Sequence, residues 1–476
     1  MMQGVSSVQA NVAQTNAGQV YFGDTGRHEK ICILEDGRMQ VPDHVRVPVI
    51  PGDGIGEEIT REAQRVVDKA VRASYGDTKS IEWVPLEAGE KALAHTGSLL
   101  PDETVATVAE HHILAKGPLG TPTGGGFRSI NVQLRQIFDL FANIRPVRKL
   151  PGVASPLKND KIDVVIFREN TEDVYAGIEA EKDSAFARDI RETAAKHGHI
   201  ISEDSGVGLK PMSEAASKRI MRAAMDYAIK NNRKMVTIVH KGNIQKYTEG
   251  AFLNWCNEVA QSEYAGRVIS MEEFYEKYNG NLDKLPVGKI VVRDRIADAQ
   301  HQDAIMYPDK HDVIVTTNLN GDYLSDAYAA TVGGLGLAPG GNMGNGMAIF
   351  EAVHGTAPDI AGQNKANPTA MFLSMILMLN HLGWGRAADK MNAAIEKTLQ
   401  QGKVTADLAS RRKIDQTLGA LLDKVKLRQP VQRLLDGLTH ILKKLPLLKT
   451  LATRLPNLRT PLSTTAYTNA VIDNIA

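Results

Sequence analysis

RVPVIPGDGIGEEITREAQRVVDKAV, residues 46–71, runs from a β-branched strand (46–51) through a glycine turn (52–56) into an amphipathic helix (57–71). A strand joined to a helix by so short a turn is the building block of α/β layers. The turn sits where a dinucleotide-binding loop would sit. A Gly-x-Gly-x-x-Gly loop beginning at Gly52 must close on a glycine at position 57, and the chain has Glu57 there. The segment therefore reads as a tight strand-to-helix turn, and the fold as α/β without a Rossmann phosphate loop.

The same alternation continues outward. DVVIFR (163–168), MVTIVH (235–240), KIVVRD (289–294) and DVIVTT (312–317) read as strands, and SEAASKRIMRAAMDYAIKNN (213–232) as a helix with Ser213 at its N-cap. Strands followed by helical patterns imply a largely parallel sheet. Residues 271–287 have weak periodicity and read as a surface excursion, and residues 1–26 as a loose N-terminal arm. No repeat at a fixed period is present.

Composition narrows the function classes. The 476 residues are 43% apolar and 23% charged, with a formal net charge of +1. That excludes a chain basic throughout and held to nucleic acid by bulk charge, and equally a charge-driven disordered polymer. No nucleic-acid partner is expected. Cys32 and Cys256 are too few for a disulfide framework and fit a reducing compartment. No apolar run reaches the roughly 18–20 residues needed to span a bilayer. Residues 1–26 hold no Lys or Arg, as a secretory or mitochondrial leader would, so a cytoplasmic protein is expected.

One segment departs from this balance. Residues 411–460 carry 14 Leu, and 12 Lys or Arg against three Asp, a local net charge of +9. Short amphipathic helices there are interrupted by Pro430, Pro446 and Pro456. Three readings stay open: a helical hairpin packed on its own subunit or at an oligomer interface, a surface for an acidic partner, RNA or membrane, or a mobile segment.

Chemistry-bearing residues cluster elsewhere. LAKGPLGTPTGGGFRSINVQLRQ (114–136) combines a glycine triplet with Ser129, Asn131 and Arg135, and Arg145 and Arg168 follow. Guanidinium groups bind carboxylates bidentately, so three of them around one pocket suit a substrate with several carboxylates. NLNGDYLSDA (318–327) sets Asp322 and Asp326 four apart on one helix face, where two like charges favour a cation between them. With Asp298 they offer hard oxygen ligands for Mg²⁺ or Mn²⁺. In FEAVHGTAPDIAGQNKANP (350–368), His354, Gly355 and Asn367 could meet an adenine ring, and Asp359 could accept hydrogen bonds from ribose hydroxyls. Lys241 and Tyr175 are candidate proton-transfer groups.

The segments KGPLGTPTGGGFRSINVQLRQ, VIFRENTEDVYAGIE, VHKGNIQKYTEGAF, NLNGDYLSDA and FEAVHGTAP closely resemble the bacterial homodimeric isocitrate dehydrogenases, within the β-decarboxylating dehydrogenase family. The resemblance runs from about residue 40 to 410 and resumes in the last dozen residues, leaving 411–460 as an insertion. It implies a non-Rossmann fold with a large α/β domain (27–140 and 333–476), a small α/β domain (141–172 and 214–332) and a clasp at the dimer interface (173–213). It implies that Ser129, Asn131, Arg135, Arg145 and Arg168 hold isocitrate, and that the Ser-x-Asn pair disfavours siblings acting on homoisocitrate or isopropylmalate. Asp298, Asp322 and Asp326 would bind the metal, with Asp298 from the partner subunit. Lys241 and Tyr175 would be the base and acid, shared across a homodimer, and a higher oligomer could form through 411–460. Thr121, Glu351, His354, Gly355, Asp359, Ile360 and Asn367 would line the coenzyme site. NADP-using relatives place Lys and Tyr where this chain has Asp359 and Ile360, and Tyr and Arg where it has Ala406 and Ser410. Because Asp359 would repel a 2′-phosphate, NAD is the expected coenzyme. Arg411 and Arg412 offer another phosphate grip, and the same reaction with NADP is the alternative. A scaffold whose site has decayed is the reading from another class; every named catalytic residue is present in this chain.

Overall fold

Along Asp163–Glu169 the side chains alternate: Val165 and Phe167 enter one hydrophobic core, Val164 and Ile166 another. A strand buried on both faces needs layers on both sides, and this pattern organises the molecule. The computed structural model describes residues 27–120, 129–157, 161–409 and 461–476. The N-terminal arm, the glycine-rich stretch 121–128 and the Leu-rich segment 411–460 lie outside the described residues.

Strands β1 (Cys32–Ile33) and β2 (Met39–Gln40) form a small antiparallel ribbon. The main sheet takes β3 (His44–Ile50), β4 (Ser80–Pro85), β5 (Ile113–Lys116), β6 (Ala142–Arg148) and β7 (Asp163–Glu169). A second ribbon pairs β8 (Glu179–Ala180) with β9 (Val207–Gly208). The main sheet is completed by β10 (Met235–His240), β11 (Val268–Ile269), β12 (Ile290–Ile296), β13 (Val313–Thr316), β14 (Pro339–Gly344) and β15 (Met347–Ala352). Its 11 strands run in the order β11-β12-β10-β13-β7-β6-β14-β15-β5-β3-β4.

Two parallel flanks meet at an antiparallel seam. β11, β12, β10, β13 and β7 are parallel, as are β15, β5, β3 and β4. Three antiparallel pairings, β7–β6, β6–β14 and β14–β15, join them, so the flanks point in opposite directions. This is the α/β fold without a Rossmann loop that the chain's segments imply.

Each flank has a core on either side. Val45, Val47 and Val49 of β3 and Phe350 of β15 pack against helices Gly56–Tyr75, Thr369–His381, Gly385–Gln400 and Thr464–Asp473. Ile50, Leu114 and Ile349 face the other way, onto helices Asp102–His111 and Ile130–Ile137. On the second flank, Val236 and Ile238 meet helices Glu214–Lys230 and Glu249–Ser262, while Val239 and Ile314 meet helices Ala297–Met306 and Asn318–Val332. Ser213 caps its helix as expected, its Oγ accepting from Ala216 N at 3.2 Å.

The glycine turn is built for close approach. Gly52 (φ +92°) and Gly54 (φ +57°) lie in the left-handed region, where a side chain would collide with the carbonyls of Pro118 and Thr356. One expectation is corrected. Within 271–287, Met271–Tyr278 is a helix capped by Ser270, with Phe274 buried beside Met235, Ile269, Leu285 and Val291. A single fully buried residue in two turns leaves almost no apolar stripe, which explains the weak periodicity. Among the described residues no helix is long and apolar enough to cross a membrane.

Candidate active site

Three arginines converge where β6 and β7 run side by side. Arg168 is 1% exposed; its Nε and Nη2 donate to Asn318 Oδ1 at 2.9 and 2.7 Å, and its Nη1 donates to Asp322 Oδ1. Arg145 donates from Nη1 to Ser325 Oγ at 2.5 Å and lies 3.3 Å from Asp322 and 3.8 Å from Asp326. Arg135, on helix Ile130–Ile137, reaches Glu351 Oε1 at 3.4 Å. Burial, then the neighbouring Arg145 and Arg135, push the Arg168 guanidinium down to about 9. Arg145 is pushed the same way, first by burial. A buried group of cations displaced like this favours anions. Arg135, Arg145 and Asn131 line one small pocket with Leu119, Glu351 and His354.

Beneath the arginines lies a buried polar row that the motifs do not announce. Lys116, 1% exposed, lies 2.6 Å from Glu351 Oε2. Asn342 Nδ2 donates to Glu351 Oε1 at 2.9 Å, Asn143 Nδ2 to Asn342 Oδ1 at 2.6 Å, and Arg145 Nε to Asn143 Oδ1 at 2.7 Å. Burial raises the Glu351 carboxyl, but Lys116 and Arg135 outweigh it and hold it at about 2. Lys116, Asn143, Asn318 and Asn342 were missed because a single polar residue in an apolar strand or loop has no spacing to detect. The available signal was Lys116 ending the apolar run ILAK and Asn143 interrupting FANIRP.

The aspartates separate into two places. Asp322 and Asp326 lie on one face of helix Asn318–Val332, beside the arginines. Burial raises Asp322, but Arg168 and Arg145 hold it below the usual carboxylate range; Asp326 is raised, chiefly by burial and with Asp322 adding to it. Tyr175 donates to Asp322 Oδ2 at 2.8 Å, and Arg168 stacks over its ring at 4.8 Å. Asp298 instead receives a hydrogen bond from Lys241 Nζ at 2.6 Å. Among the described residues no three His, Cys, Asp or Glu side chains gather as a metal cage. The oxygen donors of Asp322 and Asp326 fit a hard cation in kind, and the raised Asp326 carboxyl is a site that added positive charge would relieve.

The remaining expected residues are placed unevenly. Ser129 is the N-cap of helix Ile130–Ile137 and caps it with no side-chain hydrogen bond. Asn131 Oδ1 is buried and finds no partner among the described residues. His354 and Gly355 line the pocket, with His354 Nε2 buried and unpartnered there. Asn367 is turned inward: Nδ2 donates to Asp407 Oδ2 at 2.9 Å, and Oδ1 accepts from Thr369 N and Oγ1. Its side chain is therefore held in place by Asp407 and Thr369, with one Nδ2 proton left over. Asp359 is exposed on a one-turn 3-10 helix, Pro358–Ile360, while Ile360 packs on the core. Thr121, Ser410, Arg411 and Arg412 lie outside the described residues.

A pocket lined by Arg135 and Arg145, with Asp322 and Asp326 beside Arg145 and Arg168 paired to Asp322, is suited in charge to an acid with several carboxylates. The sequence profile of the isocitrate/isopropylmalate dehydrogenases matches residues 46–421, and the chain belongs to that family. It is 51% identical to an isocitrate dehydrogenase (NADP) of Archaeoglobus fulgidus over 376 residues, 79% of this chain and 90% of that one. An isocitrate dehydrogenase (NADP) of Streptococcus salivarius is 48% identical over 388 residues, covering 80% and 95%. Among solved structures, an isocitrate dehydrogenase from Methylococcus capsulatus superposes with a TM-score of 0.68 at 33% identity, covering 90% of this chain and 99% of that one.

These relatives overturn the expectation of NAD: both are named for NADP. The charge argument leaned on Asp359, and an exposed carboxylate in water has its repulsion screened by solvent and salt. One exposed residue is too weak a basis for excluding a 2′-phosphate.

Proposed function

We propose that this chain catalyses the metal-dependent oxidative decarboxylation of isocitrate to 2-oxoglutarate and CO₂, with NADP as hydride acceptor. The observation that carries the reading is the charge gathered in and around the pocket. Lys116, Arg135, Arg145 and Arg168 face Glu351, Asp322 and Asp326, four cations against three carboxylates. One divalent cation would raise that surplus to three, the charge of a tricarboxylate.

In this reading Arg135, Arg145 and Arg168 take the substrate carboxylates, and Ser129 and Asn131 meet its polar flank where isopropylmalate would bring an alkyl group. The unpartnered Asn131 Oδ1 supports that role. Lys241, after giving up a proton of its own to solvent, accepts that of the C2 hydroxyl as hydride leaves C2 for the nicotinamide. Asp322 and Asp326 would hold Mg²⁺ or Mn²⁺, which when bound supplies the positive charge that favours departure of the β-carboxylate as CO₂. Tyr175 delivers a proton to C3; burial, and then its bond to Asp322, keep its hydroxyl protonated well above neutral pH. Glu351, His354 and Gly355 border the coenzyme side, and Asp359, Ile360, Asn367 and Thr121 are assigned to the same coenzyme by the family resemblance alone.

A homodimer with shared sites belongs to the same proposal. Its support is that Lys241 pairs with Asp298 and not with Asp322 or Asp326, and that residues 173–213 expose Val174, Phe186, Ile200 and Leu209. The division into a large domain, a small domain and this clasp is supported by the separate cores of the two flanks.

A steady-state assay tests the proposal. Reduced coenzyme should form with isocitrate, Mg²⁺ and NADP, and EDTA should abolish it. Homoisocitrate and isopropylmalate should be turned over at least about 100-fold less efficiently, the discrimination available to a site built for polar groups. A preference for either sibling substrate, or for NAD, overturns the corresponding part of the assignment.

A further inference from the structure

The polar row across the seam has only one way to be wired. Arg145 Nε can only donate, so the atom 2.7 Å away must be the Asn143 oxygen. That turns Asn143 Nδ2 towards Asn342 Oδ1, 2.6 Å away. Asn342 then presents Nδ2 to Glu351 Oε1 at 2.9 Å, and a carboxylate can only accept. Read from either charged end, both amides take the same orientation. Asn143 and Asn342 are each 1% exposed. They are register partners on β6 and β14, and Glu351 lies one pleat further along β15. Asn170 adds a second donor to Asn342 Oδ1 at 3.1 Å. Buried amides are tolerated only when paired, and a fully paired chain between opposite charges strengthens each link.

We propose that Asn143 and Asn342 are positioning residues that lock Arg145 to Glu351 across the antiparallel seam, setting the angle at which the guanidinium meets a substrate carboxylate. The proposal rests on the reading of Arg145 as a carboxylate-binding group. Asn143 fixes Arg145 directly. Asn342 acts through Asn143, and holds Glu351, which faces Arg135 and Lys116 on its other sides. The two amides therefore act as one unit, and breaking either link releases Arg145.

The test compares full-length wild type with Asn143→Leu, Asn342→Leu and the double variant. Each single change is expected to raise KM for isocitrate about tenfold, the weight of a lost hydrogen bond to a charged group. The kcat value should fall less than KM rises, and the double variant should be no worse than the poorer single. A double variant near the product of the two single effects overturns the relay, because independent sites multiply. Single variants with wild-type KM overturn it as well. Should the leucine variants fail to fold, Asn143→Ser adds no charge but is too short to bridge Arg145 and Asn342; a raised KM supports the relay and a wild-type KM overturns it. If wild type turns over no isocitrate, the functional reading fails separately. The relay is then decided by urea unfolding of the same proteins: single-variant losses that simply add overturn it, and losses that do not add support it.

Discussion

Glu351 is a side chain whose charge is held by its neighbours. Its carboxyl sits at about 2 against an ordinary 4.5, burial opposing and Lys116 and Arg135 prevailing. A depressed carboxyl contributes stability that is present above the unfolded pKa and is lost as pH falls through the folded one. Glu351→Gln should therefore destabilise at pH 7 by about 3 kcal/mol, the scale of such a shift, with Lys116 left buried and unpaired. The gap to wild type in urea unfolding should narrow as pH drops from about 5 towards 2. A pH-independent gap would mean that the pair's charge is not the source. The same neighbourhood shows what the sequence made legible. Arg145, Arg168, Asp322 and Asp326 carry chemistry by residue type, and they do share one place. Asn143 and Asn342 were silent because an amide's importance lies in its partners, which only the register supplies. The NAD expectation failed for a related reason: a charge was read from residue type without its exposure.

Helices and turns were legible where local chemistry dictates them. Ser213 was read as a cap and accepts the Ala216 amide, so Ser213→Ala should cost about 1 kcal/mol in chemical denaturation. Gly54→Ala should cost clearly more, because it adds left-handed strain to a collision with the Thr356 carbonyl. If the two variants lose equal stability, the turn is more forgiving than its packing indicates. Five strands of the main sheet, β3, β7, β10, β12 and β13, were found within two residues, since buried β-branched runs leave few alternatives; the other six were not delimited. The largely parallel character of the sheet was legible as well, but its antiparallel seam was not. Asn345-Gly346 stands between β14 and β15, a two-residue hairpin signal that marks one antiparallel step. The pairing of β6 with β14 joins residues far apart in the chain, and that of β6 with β7 spans a connection with no turn signature, so no local pattern carries that information. The helix Met271–Tyr278 was lost because its inward face is so narrow.

At the level of the assembled protein, the opposed flanks leave the proposed chemistry divided. Lys241 and Asp298 follow β10 and β12, while Tyr175, Asp322 and Asp326 stand with the arginines; the helices bearing Asp298 and Asp322 share a core, but Lys241 pairs with Asp298 and not with Asp322 or Asp326. Had Lys241 served the arginines of its own chain, it would need to leave Asp298, its partner at 2.6 Å. A second copy related by a two-fold axis can bring Lys241 and Asp298 to the other chain's pocket without that rearrangement. Two inactive proteins then discriminate between the arrangements. Lys241→Met and Arg168→Met should each be inactive alone. In a mixed dimer with shared sites, one pocket carries both changes and the other carries neither. Equal co-expression makes roughly half the dimers mixed, each with one intact pocket, so activity should recover to about a quarter of wild type. If each pocket is built from a single chain, every pocket in the mixture carries one of the changes and recovery is nil. Separately purified variants, mixed without unfolding, should stay inactive unless subunits exchange, which ties any recovery to formation of the mixed dimer.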